Sequence, residues 1–292
     1  MEYKAILYNK DAFTEGAVAT ITLNRPDKLN AMDLEMTNEI IDAVSQAEDD
    51  DDVKAIVFKG AGPSFSAGYD LRRVYYVYGG GSGKPEDTTR RPSQRSRFRY
   101  DKWRSETLRR IFTCSKITIA SIHGYCVGGG LYVSLCCDLT IAAQDAQIGH
   151  AEQRLGFSGT MYVLPIEIML IGQKKAREML LLGSLINGTE AERIGLVNRV
   201  VPGDKLEEET KKWAQAMTLL PRDGIAIGKA FSGLAYDSLG MMSGFTQGYV
   251  GHSFFTNVRF ESDEFNFLKT RRDKGVKAAF TARDKRYEDL GL

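Results

Sequence analysis

Three consecutive glycines, Gly128 to Gly130, stand where the chain could bind a negatively charged oxygen. They follow an apolar, β-branched run from Ile117 to Ile122 and precede an apolar run from Leu131 to Cys137. This order predicts a buried strand, a tight turn and a buried helix. The first N–H groups of a helix lack internal partners, and glycine lets a ligand approach them without a Cβ in the way. The turn therefore predicts an oxyanion site, with a close helix–strand packing turn as the alternative.

A second glycine turn, Phe65 to Leu71, follows the strand-like run Ala55 to Phe58. It reads Phe-Ser-Ala-Gly-x-Asp-Leu, and the later turn reads His-Gly-Tyr-Cys-x-Gly-Gly-Gly. Together these motifs resemble the enoyl-CoA hydratase/isomerase superfamily, the crotonases. The resemblance extends, in the family's order and over nearly the whole chain, to residues 23–31, 148–152 and 191–201.

The resemblance implies an acyl-CoA thioester as substrate, whose carbonyl oxygen becomes an enolate-like oxyanion in the transition state. The positions that match the family's two backbone N–H donors are Tyr69 and Gly129. Two such donors, aimed where the charge develops, would each contribute about 3 kcal/mol in a site without water. Tyr69 would serve through its backbone, which leaves its side chain to shape the pocket.

The acid/base groups of this chain depart from those of the family's hydratases. Those enzymes use two glutamates, and the matching positions here are Tyr132 and Glu152. Because paired carboxylates suit the addition of water, the tyrosine argues against syn-hydration of a 2-enoyl-CoA. A single glutamate resembles the family's isomerases, in which one base moves a proton between C2 and C4.

Both residues have alternatives. Tyr132 could orient a water, act as a weak acid, or pack as a buried aromatic. Glu152 could be a surface carboxylate paired with Arg154. His150, two residues before Glu152, could tune that carboxylate or face the pocket, with a packed histidine as the alternative.

The resemblance also implies contacts to the substrate around the first turn and near the amino terminus. Basic side chains would contact the phosphates of CoA. Lys28, Arg25 and Arg283 are the candidates for this role, with solvated surface charge as the alternative for each. The expected substrate-binding residues are Lys28, Leu29, Ala31, Ala67, Asp70, Leu71 and His150.

Composition excludes several other classes of function. The chain has 39 basic and 38 acidic residues, and this balance argues against nucleic acid or an acidic membrane surface as partner. Four cysteines and three histidines, without a Cys-x-x-Cys pair, predict neither a disulfide framework nor a metal site. We expect a cytoplasmic protein without a membrane span and with no cofactor beyond the CoA of its substrate.

Residues 78–104 depart from the shorter members of the family. A glycine-rich stretch, 79–85, precedes seven basic residues interleaved with Phe98, Tyr100 and Trp103. Such a pattern could bind RNA, but the net charge argues against it. We expect a flexible, arginine-rich insert that is either a lid over the acyl chain, a set of contacts to an anionic cofactor, or a mobile surface loop.

Alternating helical and strand patterns predict an α/β fold. Helices are expected after Asp33, over 103–112, over 161–182 with a break near Gly172, and over 204–219. The resemblance refines this to a crotonase-type spiral of ββα units, with residues 1–202 as the acyl-CoA core and 203–292 as a C-terminal helical region that assembles trimers or hexamers.

The sequence thus predicts a hydratase/isomerase-type enzyme that stabilises a thioester enolate and uses Glu152 as its single acid/base. Two other outcomes stay open. One is another reaction of the superfamily, namely thioester hydrolysis, decarboxylation or C–C cleavage. The other is a CoA-binding protein without catalytic activity.

Overall fold

The computed structural model describes residues 3–71, 93–255 and 258–292. The strands in these ranges form two sheets, one of six and one of three strands. In chain order they are β1 (Ile6–Phe13), β2 (Gly16–Leu23), β3 (Val53–Gly60), β4 (Ile117–Ile122), β5 (Tyr125–Val127), β6 (Leu139–Ala143), β7 (Gln147–Gly149), β8 (Leu185–Asn187) and β9 (Arg199–Val201).

The larger sheet has the order β1-β2-β3-β4-β6-β9, and the smaller has the order β5-β7-β8. β1 and β2 form an antiparallel hairpin, and every later neighbour in the larger sheet is parallel. The strand-like runs 55–58 and 117–122 become β3 and β4, which pair at the centre of this sheet. Their almost uninterrupted apolar sequences fit strands buried on both faces.

Helices connect and cover the strands, so the predicted α/β class is confirmed. In chain order they are α1 (Leu34–Asp49), α2 (Gln94–Phe112), α3 (Gly129–Cys136), α4 (Leu164–Leu182), α5 (Gly188–Arg193), α6 (Leu206–Thr218), α7 (Arg222–Ser238), α8 (Met241–Phe255), α9 (Phe267–Lys274) and α10 (Val276–Glu288).

Two local predictions hold in detail. The Asp33 carboxylate accepts a hydrogen bond from the Met36 N–H at 3.1 Å and so caps α1. Helix α4 is interrupted at Gly172, whose φ of +76° is non-helical. The predicted order of strand, glycine turn and helix is found in β4, the turn and α3, with the short strand β5, which was not predicted, between β4 and the turn.

The arginine-rich segment requires a correction where the structure describes it. Residues 94–104, expected within a flexible insert, form the first half of α2. Arg97, Asp101 and Arg104 lie at helical spacing and are buried, so the inner face of this helix is charged. The Asp101 carboxylate accepts hydrogen bonds from the Tyr162 hydroxyl at 2.7 Å and the Ser253 hydroxyl at 2.6 Å. An apolar pattern could not reveal such a face. Residues 78–92 of the segment lie outside the described residues.

The region after residue 202 is helical, as predicted. Helix α6 packs on the larger sheet, where the buried Lys54 of β3 donates hydrogen bonds to the carbonyls of Thr218 at 2.7 Å and Leu220 at 2.6 Å. The division into two units at residue 202 stays a prediction. No helix in the described ranges is both long and apolar enough to cross a membrane.

Candidate functional site

The two glycine turns lie against each other. The Ser66 N–H donates to the Tyr125 carbonyl at 2.8 Å, and the Val127 N–H donates to the Ser66 carbonyl at 3.1 Å. Gly68 has a φ of +85°, and a Cβ placed on it would lie 2.8 Å from the Val127 oxygen and 3.2 Å from the Gly129 nitrogen. Only glycine fits this contact without strain.

Two backbone N–H groups at this contact are available to a ligand. Gly129 is the first residue of α3, and its N–H has no hydrogen-bond partner among the described residues. The Tyr69 N–H also has no hydrogen-bond partner among the residues that the structure describes. Both residues line one large cavity. A negatively charged oxygen placed between them would therefore find two donors and the positive end of a short helix.

Glu152 reaches the same place from a 3-10 helix, Ala151–Leu155, that follows β7. The Tyr132 hydroxyl of α3 donates a 2.6 Å hydrogen bond to Glu152 Oε1. A Cβ on Gly128 would lie 3.0 Å from Glu152 Oε2, so the carboxylate sits at the glycine turn. The expected alternative partner, Arg154, instead donates to the Leu182 carbonyl at 2.8 Å and lies over the Tyr287 ring.

A buried ion pair, formed by His150 and Glu167, lies next to Glu152. His150 Nε2 lies 2.6 Å from Oε2 of Glu167, a residue of α4, and His150 Nδ1 lies 3.5 Å from Glu152 Oε1. The side chains of His150 and Glu167 are fully buried. The sequence analysis missed Glu167, although it is the one charged residue in the run Leu164 to Ile171. A lone carboxylate in an apolar helix is expected to have a buried partner.

The protonation states of His150, Glu152 and Tyr132 depend on one another. Burial alone would lower the pKa of His150, but the carboxylates of Glu167 and Glu152 outweigh it and raise this pKa to about 10. Burial would raise the pKa of Glu152, but the nearby charge of His150 and the hydrogen bond from Tyr132 outweigh burial, so this pKa is lowered. Burial, and then the nearby Glu152 carboxylate, raise the pKa of Tyr132 well above its usual value. At neutral pH these shifts favour an imidazolium at His150, an ionised Glu152 and a neutral Tyr132 phenol.

The cavity has a volume of about 1040 Å³. The predicted site residues that line it are Leu29, Ala67, Tyr69, Leu71, Gly129, Tyr132 and Glu152. The remaining four, Lys28, Ala31, Asp70 and His150, lie outside its lining.

Arg25 and Asp70 hold the turns in place. The Arg25 guanidinium lies 3.2 Å from Asp33 and 3.2 Å from Asp70, and it donates a hydrogen bond to the Ala31 carbonyl. These side chains are largely buried. The contacts tie the loop before α1 to the turn that carries Tyr69, which is a positioning role rather than the phosphate contact considered for Arg25.

The C-terminal helices add basic residues to the cavity. Lys269, Arg271 and Arg272 of α9 line it, and Arg271 donates to the Leu71 carbonyl at 2.7 Å. Arg283 of α10 also lines the cavity. The sequence analysis missed the three residues of α9, although the basic cluster Lys269 to Lys274 is visible in the sequence.

Much of the remaining cavity lining is apolar and could hold an acyl chain. Its apolar lining includes Leu155, Phe157, Leu185, Phe255, Val258, Phe260, Phe267 and Phe280. Among the residues that the structure describes, no group of three His, Cys, Asp or Glu side chains could bind a metal ion. The site therefore combines two N–H donors, the Glu152 carboxylate and a large, partly apolar cavity that several basic side chains also line.

Comparisons with known proteins identify the family and the fold. The family described as "Enoyl-CoA hydratase/isomerase" matches residues 14–232. A crystal structure of an enoyl-CoA hydratase/isomerase from Xanthobacter autotrophicus Py2 is 31% identical, with a TM-score of 0.82 over 98% of this chain and 99% of the other. An enoyl-CoA hydratase from Mycobacterium smegmatis is 26% identical, with a TM-score of 0.80 over 97% of this chain and 94% of the other. The chain belongs to the enoyl-CoA hydratase/isomerase family and has the crotonase fold.

Proposed function

We propose that this enzyme removes a proton from C2 of an acyl-CoA thioester and stabilises the enolate through the N–H groups of Tyr69 and Gly129. Family membership supports an acyl-CoA substrate. The observation that carries the proposal is that the Glu152 carboxylate lines one cavity with two N–H groups that have no hydrogen-bond partner in the part of the chain that the structure describes.

The reaction needs one base. Glu152 accepts the C2 proton, the electron pair moves onto the thioester oxygen, and the two N–H groups stabilise that charge. The same carboxyl then returns the proton to C2 or, when a 3,4-double bond is present, to C4, and so shifts the double bond. The Tyr132 phenol, neutral at working pH, keeps Oε1 hydrogen-bonded and leaves the other oxygen for the substrate.

Water addition is the second candidate, because the related solved structures include hydratases by name. Tyr132 argues against it, since its hydroxyl binds the Glu152 carboxylate directly, and a water held between two carboxylates would need that space. Thioester hydrolysis, decarboxylation, C–C cleavage and binding without catalysis are further alternatives.

Mass spectrometry of 2-enoyl-, 3-enoyl- and 3-hydroxyacyl-CoA thioesters incubated with the enzyme in heavy water tests the proposal. We expect double-bond migration with deuterium at C2 or C4 and no added water. Gain of one water would favour hydration. CoA binding without deuterium in any thioester would contradict the proposal and favour the binding protein.

Replacing Tyr132 with phenylalanine is expected to lower deuterium exchange about tenfold near neutral pH, because the Glu152 carboxylate loses the hydrogen bond that orients it toward the substrate. That loss raises the pKa of Glu152. The ionised base exists above this pKa, so the acid limb of the pH–rate profile moves to higher pH. Tyr125→Phe is the matched control, since Tyr125 lines the cavity without contacting Glu152. Identical pH profiles for both variants would contradict this role of Tyr132.

Basic side chains at the cavity are proposed to bind the phosphates of CoA. Lys269 and Arg272 on α9 and Arg283 on α10 line the cavity, and Lys28 lies beside Leu29 at its wall. Each of these side chains is positively charged and can bind phosphate oxygens.

The cytoplasmic location stays a prediction from the sequence.

The enzyme is also proposed to form a homo-oligomer, a trimer or hexamer. Ile227, Phe231 and Leu234 of α7 lie on one helical face and are 68%, 73% and 67% exposed. An apolar stripe of this kind is expected to be covered by another chain. We expect Ile227→Asp/Phe231→Asp to give a smaller assembly than the native chain in sedimentation analysis. A monomeric native chain would contradict the assembly.

A further inference from the structure

We propose that Glu167 and His150 form a positioning pair that holds the Glu152 carboxylate ionised and oriented toward the substrate. The inference rests on the proposed function, in which Glu152 is the base. Neither residue lines the cavity, so both act through Glu152 and not on the substrate itself.

The geometry of His150 favours a proton on each ring nitrogen. Nε2 lies 2.6 Å from Glu167 Oε2, and an ionised carboxylate can only accept a hydrogen bond. Nδ1 is buried, without a hydrogen-bond partner among the described residues, and its near polar neighbour is Glu152 Oε1 at 3.5 Å. A neutral ring protonated at Nε2 would point an Nδ1 lone pair at a carboxylate oxygen. An imidazolium instead places an N–H there.

The pair is held by rigid elements. His150 directly follows β7, and its carbonyl accepts the Gln153 N–H at 2.9 Å. Glu167 lies in the first turn of α4. The Gln153 side chain ties down the following loop through the Thr160 carbonyl at 2.8 Å and the Gly159 N–H at 2.6 Å. A small movement of the Glu152 side chain would close the Nδ1–Oε1 distance of 3.5 Å, because catalytic hydrogen bonds often shorten once substrate binds.

The other charged and titratable groups around Glu152 do not supply a positive charge in place of the His150 imidazolium. Tyr132 of α3 and Tyr69 of the first turn have raised pKa values and are neutral, and Tyr162 packs beside Tyr132. Arg283 of α10 is paired with Asp284 and directs a nitrogen to the Ala151 carbonyl at 3.4 Å. Within the described residues, His150 is the one cation in salt-bridge contact with Glu152.

Glu167 therefore sets the charge of His150, and His150 sets the proton affinity of Glu152. Without the Glu167 charge, a buried imidazole loses its proton easily, because burial disfavours the charged form. Glu152 would then face a neutral ring and take up a proton at higher pH. A purely structural ion pair would affect stability but not the pH at which Glu152 loses its base form.

Nitrogen-15 NMR of the substrate-free enzyme tests the charge of His150 directly. The chain has only three histidines, so labelled histidine gives few signals, and His150→Gln assigns those of His150. We expect both ring nitrogens to stay protonated up to about pH 8, above the usual histidine range. In Glu167→Gln the midpoint of titration should fall by about two pH units or more. A neutral His150 at pH 7 in the native enzyme would overturn the proposal, whether or not the variant folds.

Deuterium exchange into 3-hexenoyl-CoA tests the consequence for Glu152. Glu167→Gln should move the acid limb of the pH–rate profile upward by about one pH unit or more. Glu178→Gln is the matched control, because Glu178 lies on the same helix and pairs with Lys175 at the surface. An acid limb unchanged in Glu167→Gln, with Glu152→Gln inactive, would defeat only the positioning pair. Full exchange by Glu152→Gln would instead defeat the proposed function.

Discussion

Replacing Glu152 with glutamine is expected to lower C2 deuterium exchange about a thousandfold, since the enzyme loses its only proposed base. The amide has the shape of the carboxylate, and its oxygen can still accept the Tyr132 hydroxyl. It cannot accept the C2 proton. Because the oxyanion donors and the basic residues at the cavity stay intact, CoA binding should change little. Exchange is followed by mass spectrometry in heavy water and binding by calorimetry.

Glu106→Gln is the control for this substitution. Glu106 lies on α2 and pairs with Arg109 in the same helix, and it does not line the cavity. The rate of C2 deuterium exchange by the Glu106→Gln variant should equal that of the native enzyme. Native-level exchange by Glu152→Gln would show that another group removes the proton, and the account of the site would be wrong.

The second large effect is expected from Gly68→Ala, which should lower exchange a hundredfold or more, about the loss of one oxyanion donor. The new Cβ would lie 3.2 Å from the Gly129 nitrogen and 2.8 Å from the Val127 oxygen. Backbone must move to relieve these contacts. The movement separates the Tyr69 and Gly129 N–H groups, which have to converge on one oxygen.

Gly172→Ala separates this effect from backbone strain. Gly172 also has positive φ, +76°, yet nothing lies within 4 Å of the Cβ that it would gain. Both variants thus place alanine at a positive φ, which strains the backbone by about 1 to 3 kcal/mol. Only Gly68→Ala alters the oxyanion site. Equal losses of exchange in the two variants would mean that strain, and not the N–H geometry, accounts for the result.

The sequence predicted the parts of the site that are built from local patterns. Gly128 to Gly130 between an apolar strand and an apolar helix predicted where α3 begins, whereas Gly129 as an oxyanion donor followed from the resemblance and remains a proposal. The Phe65 to Leu71 turn could be recognised only by resemblance, because its contact with Val127 and Gly129 joins segments far apart in the chain.

The parts that the sequence missed depend on buried charge. Helix α2 has Arg97, Asp101 and Arg104 on its inner face, so hydrophobic periodicity gave no signal for it. Glu167 contacts His150 across two separate elements, and its role follows from packing alone. A charged residue within an apolar run is the one local sign that such a contact exists.

A crystal structure of Glu152→Gln with bound 3-hexenoyl-CoA would test the account most directly, because this variant binds the thioester without converting it. We predict that the thioester oxygen lies within hydrogen-bond distance of both the Tyr69 and Gly129 nitrogens, with C2 facing residue 152. A thioester oxygen bound elsewhere in the cavity, away from these two nitrogens, would contradict the account.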